Sequence, residues 1–153
     1  MKTIRILLVA AIITMAHSAF AQSKTEYNID DSKIALQGYS PVSYLDLNLA
    51  QRGVKEISSE FDGVKYFFVD KDQKKKFDAN PDKYLPQFGG FCATGIAVGA
   101  KFRTDPNKFL VKDGKLYLFL NSIEVDAKQL WMADVKGMTT KANNNWPKLK
   151  EKH

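Results

Sequence analysis

The sequence predicts a small α+β domain, an antiparallel sheet built from two β-hairpins with covering helices. Asp-Gly occurs twice between β-prone runs, at Asp62-Gly63 in "EISSEFDGVKYFFV" and at Asp113-Gly114 in "KFLVKDGKLYLFLN". A two-residue type I′ hairpin needs φ > 0 at both central positions, which this dipeptide supplies. Between and after the hairpins lie stretches with helical caps and helical period.

The chain of 153 residues opens with Lys2 and Arg5, an apolar run from Ile6 to Ala16, and Ala19-Phe20-Ala21. Such an n-region, h-region and small-x-small site predict a signal peptide over residues 1–21, cleaved before Gln22. The run is shorter than the roughly 18 residues a membrane anchor needs, so an exported, periplasmic or extracellular protein is expected, with no membrane insertion after cleavage. Residues 22–33 are polar and predict a flexible leader.

Order is expected to begin near Ile34, in a globular domain over 34–146. In "IALQGYSPVSYLD", Gly38, Ser40 and Pro41 suggest a bend between two short extended pieces. In the first hairpin Val64, Tyr66 and Phe68 face one side and Phe67 and Val69 the other. Asp70 with Gln73 resembles a capping box that opens the basic helix "KDQKKKFDA", which Asn80-Pro81 should stop. "NPDKYL" (80–85) and "DPNKFL" (105–110) echo one another; each reads as an Asx N-cap with Pro at N1 starting a single turn. In the second hairpin Leu116, Leu118 and Leu120 alternate with Tyr117 and Phe119. Both faces are apolar, as in a central, doubly covered strand. Asn121 with Glu124 predicts a further helix with Ile123, Ala127, Leu130 and Trp131 on one face and Gly137 as its C-cap. Beyond it a short helix or turn docks Trp146 and ends in a basic tail, 147–153.

Composition removes several chemistries. The net charge is +6, with two histidines and one cysteine. Export would remove His17, leaving His153 at the end of the chain. Zinc sites need three or four Cys or His ligands, and a Ser or Cys nucleophile normally takes its base from histidine. No phosphate-loop or dinucleotide glycine pattern is present. Asp70-Lys71-Asp72 starts like a calcium loop, but Lys75 stands where the turn glycine belongs and Pro81 where the bidentate acid belongs. The cluster Lys71, Lys74, Lys75 and Lys76 is interleaved with Asp70, Asp72 and Asp78 and reads as a solvated helix face rather than a nucleic-acid surface. Catalytic machinery of a recognisable type is not expected, and neither is a cofactor required for folding.

Taken together, "GYSPVSY", "NPDKYLPQFGGFCATG" and "NNNWP", within residues 34–146, resemble the exported branch of the YHS domain family. The resemblance implies association with metal transport, through cysteines after a Pro-Val pair and near the end of the hairpin. Here Ser43 follows Pro41-Val42, Phe68-Val69-Asp70 closes the strand, and the following helix offers lysines. Tyr66 matches the tyrosine that opens the family's name, followed by Phe67 and Phe68. Cys92 belongs instead to the "GGFCATG" element of the exported branch.

Three readings of Cys92 stay open. Free cysteine often only packs. Flanking Gly89, Gly90 and Gly95 allow close approach of a ligand, and the start of a helical turn favours a thiolate. That thiolate would suit Cu(I) or another soft metal with Met132 or Met138 as thioether partner; alternatively it would support thiol redox chemistry or a disulfide-linked homodimer. In the third reading Cys92 is structural and Gly90, Phe91, Tyr39, Tyr44 and Tyr66 serve a small-molecule pocket. The expectation is a non-catalytic binding protein, with soft metal as the first ligand class.

Overall fold

A computed structural model describes residues 26–151. The expected signal peptide, residues 1–21, lies outside the described residues, as does His153. Among the described residues the fold is α+β, with six α-helices and two antiparallel two-stranded sheets.

The chain builds one unit and then repeats it. In the first half a 3₁₀ turn, Ala35–Gly38, leads to Ser40, which caps α1 (Pro41–Leu47). A hairpin follows, β1 (Val54–Phe61) and β2 (Val64–Phe68). Asp70 then caps α2 (Lys71–Ala79), and Asn80 turns the chain into α3 (Pro81–Tyr84). The second half has a 3₁₀ turn, Gln87–Gly90, and Cys92 capping α4 (Ala93–Ala97). Its hairpin is β3 (Asp105–Lys112) with β4 (Lys115–Phe119). Asp126 caps α5 (Ala127–Ala133), and Asp134 turns the chain into α6 (Val135–Leu149).

Backbone detail recurs as well as element order. The two 3₁₀ turns carry left-handed pairs at Leu36-Gln37 and Phe88-Gly89. The hairpins share one irregularity: Val54 pairs with Phe68 and Ser58 with Phe67, while Asp105 pairs with Phe119 and Phe109 with Leu118. Both hairpins thus break register at the same place. Asn80 (φ −155°, ψ 76°) and Asp134 (φ −149°, ψ 68°) make the same bend. The segment ahead of each first helix lies parallel to its hairpin's second strand, through Ile34 with Lys65 and through Pro86 with Leu116 and Cys92 with Leu118. Parallel bridges of this kind cover part of a hairpin edge that would otherwise be open to other chains.

Each half supplies a core. Val64, Tyr66, Phe68, Phe77, Tyr84 and Val42 centre the first, which Leu116 and Leu118 join from the second hairpin. Phe88, Cys92, Ile96, Tyr117, Phe119 and Trp131 centre the second. Strand β4 thus feeds both cores with alternate side chains, the doubly covered strand that its sequence predicts.

Several local expectations are corrected. Residues 35–47 form a 3₁₀ turn and a helix rather than extended pieces, because the Ser40 hydroxyl accepts from the Ser43 amide (3.4 Å) and Pro41 takes the first helical position. The helix expected at Asn121 starts at Ala127, where the Asp126 carboxylate accepts from the Gln129 amide (3.0 Å). Ile123 is consequently outside it and exposed. Gly137 is no C-cap; it lies in the first turn of α6, its amide donating to the Asp134 carboxylate (2.9 Å). "NPDKYL" forms α3, but "DPNKFL" is strand β3, so that echo is accidental and the repeat runs in another register. Within the expected leader, Tyr27 and Ile29 pack against the first core.

Candidate functional site

Cys92 is 0% exposed. Its amide donates to the Phe102 carbonyl (3.1 Å) and its carbonyl accepts from Ile96 (2.9 Å), while Sγ accepts from the Gly95 amide (3.5 Å). Its surroundings are the apolar side chains of the second core. Met138 packs against that core, half-buried in α6. Met132 is 49% exposed on α5 and is not part of it. Among the described residues no group of three or more His, Cys, Asp or Glu converges.

The aromatic candidates separate. Tyr44 is buried, its hydroxyl donating to the Pro106 carbonyl (2.7 Å) and its ring meeting Phe109 edge-on at 4.8 Å; burial pushes its phenol well above the ordinary range. Phe91 lies against Trp146 (6.3 Å between centroids) with the Lys101 ammonium 5.6 Å from its ring. Tyr39 is half-buried beneath the Arg52 guanidinium, 4.9 Å from the ring centre. Tyr66 and Gly90 come together as walls of one small internal space.

A buried polar group that the sequence reading used only as a cap lies in the first half. The Gln73 side chain points inward, where Oε1 accepts from Ser40 Oγ (2.7 Å), Ser43 Oγ (3.2 Å) and the Val69 amide (3.3 Å), and Nε2 donates to Ser43 Oγ (2.9 Å). Buried hydroxyls and amides must find partners of this kind. The network ties α1, the end of β2 and α2 into one body.

A cleft of about 580 Å³ with a polar rim lies between the leader and the first hairpin. Its walls include Asp30, Gln37, Arg52, Lys55, Phe67 and Arg103. Gly38 and Gly53 bring the chain close to Phe67; a Cβ at Gly53 would lie 2.5 Å from the Phe67 carbonyl carbon. Arg52 Nη1 donates to the Gln37 carbonyl (3.4 Å), and the Tyr39 ring beneath supports the same guanidinium. Hydrogen bonds from Ser32 hold the Asp30 carboxyl below the ordinary carboxylate value, and Arg103 adds to the effect. Among the described residues no carboxylate forms an ion pair with Arg52, Lys55 or Arg103. The cleft therefore carries three cations against one acid.

Sequence reasoning missed this cleft. Arg52 and Arg103 precede the two hairpins at corresponding positions of the repeat, a relation visible only once the hairpin registers are known.

No family model, no curated protein and no solved structure matches this chain.

Proposed function

We propose that the protein is an exported, non-catalytic binding module that holds a small anionic molecule in the cleft beside Phe67. One observation carries the reading: Arg52, Lys55 and Arg103 surround a cleft of about 580 Å³ without ion-paired carboxylates among the described residues. Small-molecule sites commonly occupy clefts of about 300–1,000 Å³ with a few placed polar groups. Arg52, held over Tyr39 and bonded to the Gln37 carbonyl, is pre-oriented to receive a carboxylate or phosphate oxygen. Phe67 offers an apolar face to the rest of the ligand.

The resemblance to the exported YHS branch favours a binding role over a catalytic one. Two of the positions where that family's metal-type motif has cysteines, here Ser43 and Val69, lie around the Gln73 amide. Hydroxyl and amide groups already bonded to one another are a poor set for a soft metal. A Cu(I) site at Cys92 would require the thiol to leave an apolar core, and a Cys92-linked dimer would require the same. The geometry thus favours the reading in which Cys92 is structural and the ligand is a small molecule.

Titration of the purified protein with succinate and with inorganic phosphate, followed by backbone amide NMR shifts, tests this. Saturable shifts are expected at residues 30, 37, 52–55, 67 and 103. The double variant Arg52→Ala/Arg103→Ala should weaken binding at least about tenfold, since a charge-assisted bond contributes about 1.5–3 kcal/mol. Absence of saturable shifts for both anions, or equal affinity in the double variant, would overturn the proposal.

A further inference from the structure

The Tyr66 hydroxyl is buried without a hydrogen-bond partner, in a side chain only 1% exposed. A buried phenol left in that state loses the bonds it makes with water and gains none in return. Tyr66 also forms a wall of an internal space of about 10 Å³, together with Asn28, Gly89, Gly90, Thr104 and Leu118. That volume is close to the least that admits one water molecule. Asn28, Thr104 and Gly89-Gly90 supply polar groups on its other walls. The side-chain donors of Asn28 and Thr104 are spent on bonds to the Gly90 carbonyl and Thr104 Oγ1, so a water there is held by Tyr66 and by the remaining acceptor capacity of the Thr104 hydroxyl and the Gly89 carbonyl.

Residues 26–29 close this space as a strap. The Asn28 amide donates to the Gly89 carbonyl (2.8 Å), and Asn28 Nδ2 donates to the Gly90 carbonyl (3.0 Å) and to Thr104 Oγ1 (3.1 Å). Thr104 Oγ1 donates in turn to the same Gly90 carbonyl (3.0 Å). The strap runs so close to the second 3₁₀ turn that a Cβ at Gly89 would lie 1.6 Å from the Glu26 carbonyl oxygen. Glycine there serves a close approach of backbone to backbone. Residues 28–30 belong to no helix or strand, and a few hydrogen bonds with the Tyr27 and Ile29 side chains attach the segment. Asn28, Ile29 and Gln37 are walls of the outer cleft too, so a lifted strap opens the inner space toward it.

We infer that Tyr66 anchors an internal site for one water molecule, which the strap of residues 26–29 gates. The inference does not depend on what the outer cleft binds.

Water-oxygen magnetic relaxation dispersion, which counts internal waters that exchange slowly, tests it on the purified protein. The parent protein should contain one more long-lived water than Tyr66→Phe, a variant that keeps the ring and removes the hydroxyl. In Asn28→Ala the residence time of that water should fall about tenfold or more, as loss of two strap hydrogen bonds would produce. Circular dichroism checks that each variant is folded; should Asn28→Ala not fold, Thr104→Val removes one partner of the same amide and is expected to shorten the residence time in the same direction. An identical water count in parent and Tyr66→Phe would overturn the site. An unchanged residence time in the folded strap variant would overturn the gate.

Discussion

Ser40 and Cys92 occupy the same place in the two halves of the molecule. Each follows a 3₁₀ turn with a left-handed pair and caps a short helix by accepting from the amide three residues on, at 3.4 Å for Ser40 Oγ and 3.5 Å for Cys92 Sγ. Their surroundings differ. The Ser40 hydroxyl donates to Gln73, whereas the corresponding Gln129 of α5 is exposed and Cys92 faces apolar side chains. Sulfur, a weak acceptor with a weak donor, suits the second environment and oxygen the first.

A reciprocal exchange follows from this. Cys92→Ser should cost about 1–3 kcal/mol because it buries a hydroxyl donor without an acceptor, and Ser40→Cys should cost a similar amount by weakening the bond to Gln73. Urea unfolding of both variants measures it. Native-state labelling of Cys92 with a thiol reagent should be slow and accelerate with urea in step with unfolding. Rapid labelling of the folded protein would contradict the buried placement.

The Gln73 network predicts a larger loss than a cap alone. Gln73→Leu leaves Ser40 Oγ, Ser43 Oγ and the Val69 amide short of partners. A buried group left unsatisfied costs about 1–3 kcal/mol, so melting should fall further than for Asp70→Ala, which removes only the cap at the Gln73 amide. Thermal melts of the two variants side by side decide the order.

Turn and packing glycines should separate. Asp62-Gly63 and Asp113-Gly114 have positive φ at both residues, the I′ geometry read from the sequence. A Cβ at Gly63 or Gly114 would meet no atom within 4 Å beyond the chain neighbours, so the cost there is conformational. Gly63→Asn should be tolerated, and Gly63→Val should cost about 1–3 kcal/mol. Gly53→Ala, by contrast, should destabilise through contact with the Phe67 and Phe68 backbone, which has no flexible end to give way. Equal stability of Gly53→Ala and parent would refute the close approach of Gly53, just ahead of β1, to the β2 backbone.

Acid sensitivity is expected at Asp46. Partial burial raises its carboxyl, but hydrogen bonds from Lys76 (3.0 Å) and Lys83 (3.3 Å) outweigh that and hold it below its ordinary value of 3.8. The unfolded chain therefore binds this proton more readily than the folded one. The resulting stabilisation is fully present above 3.8 and is lost as pH falls through the folded value. Asp46→Asn should be less stable than the parent near neutrality, and the difference should shrink to nothing in acid. Urea midpoints across that range provide the check; a difference constant with pH would exclude the linkage.

What the sequence determined by itself was local. The Asp-Gly turns, the doubly apolar β4, the Asp70 cap and the stop at Asn80-Pro81 follow from φ/ψ preference and side-chain period, properties of residues a few positions apart. Tertiary structure decided the rest. Ser40 caps α1 through its own local bond, but the partner that receives its buried hydroxyl, Gln73, lies over thirty positions away. Arg52 and Arg103 stand at equivalent positions ahead of the two hairpins, far apart in sequence, and the fold brings them to the walls of one cleft. Cys92 stayed open between packing residue, ligand and redox thiol, since its neighbours in sequence are small and permissive; the side chains that share its core, Tyr117, Phe119 and Trp131, come from β4 and α5. A backbone turn can be inferred from its own residues, but burial and electrostatic partnership depend on atoms that only the folded chain brings within reach.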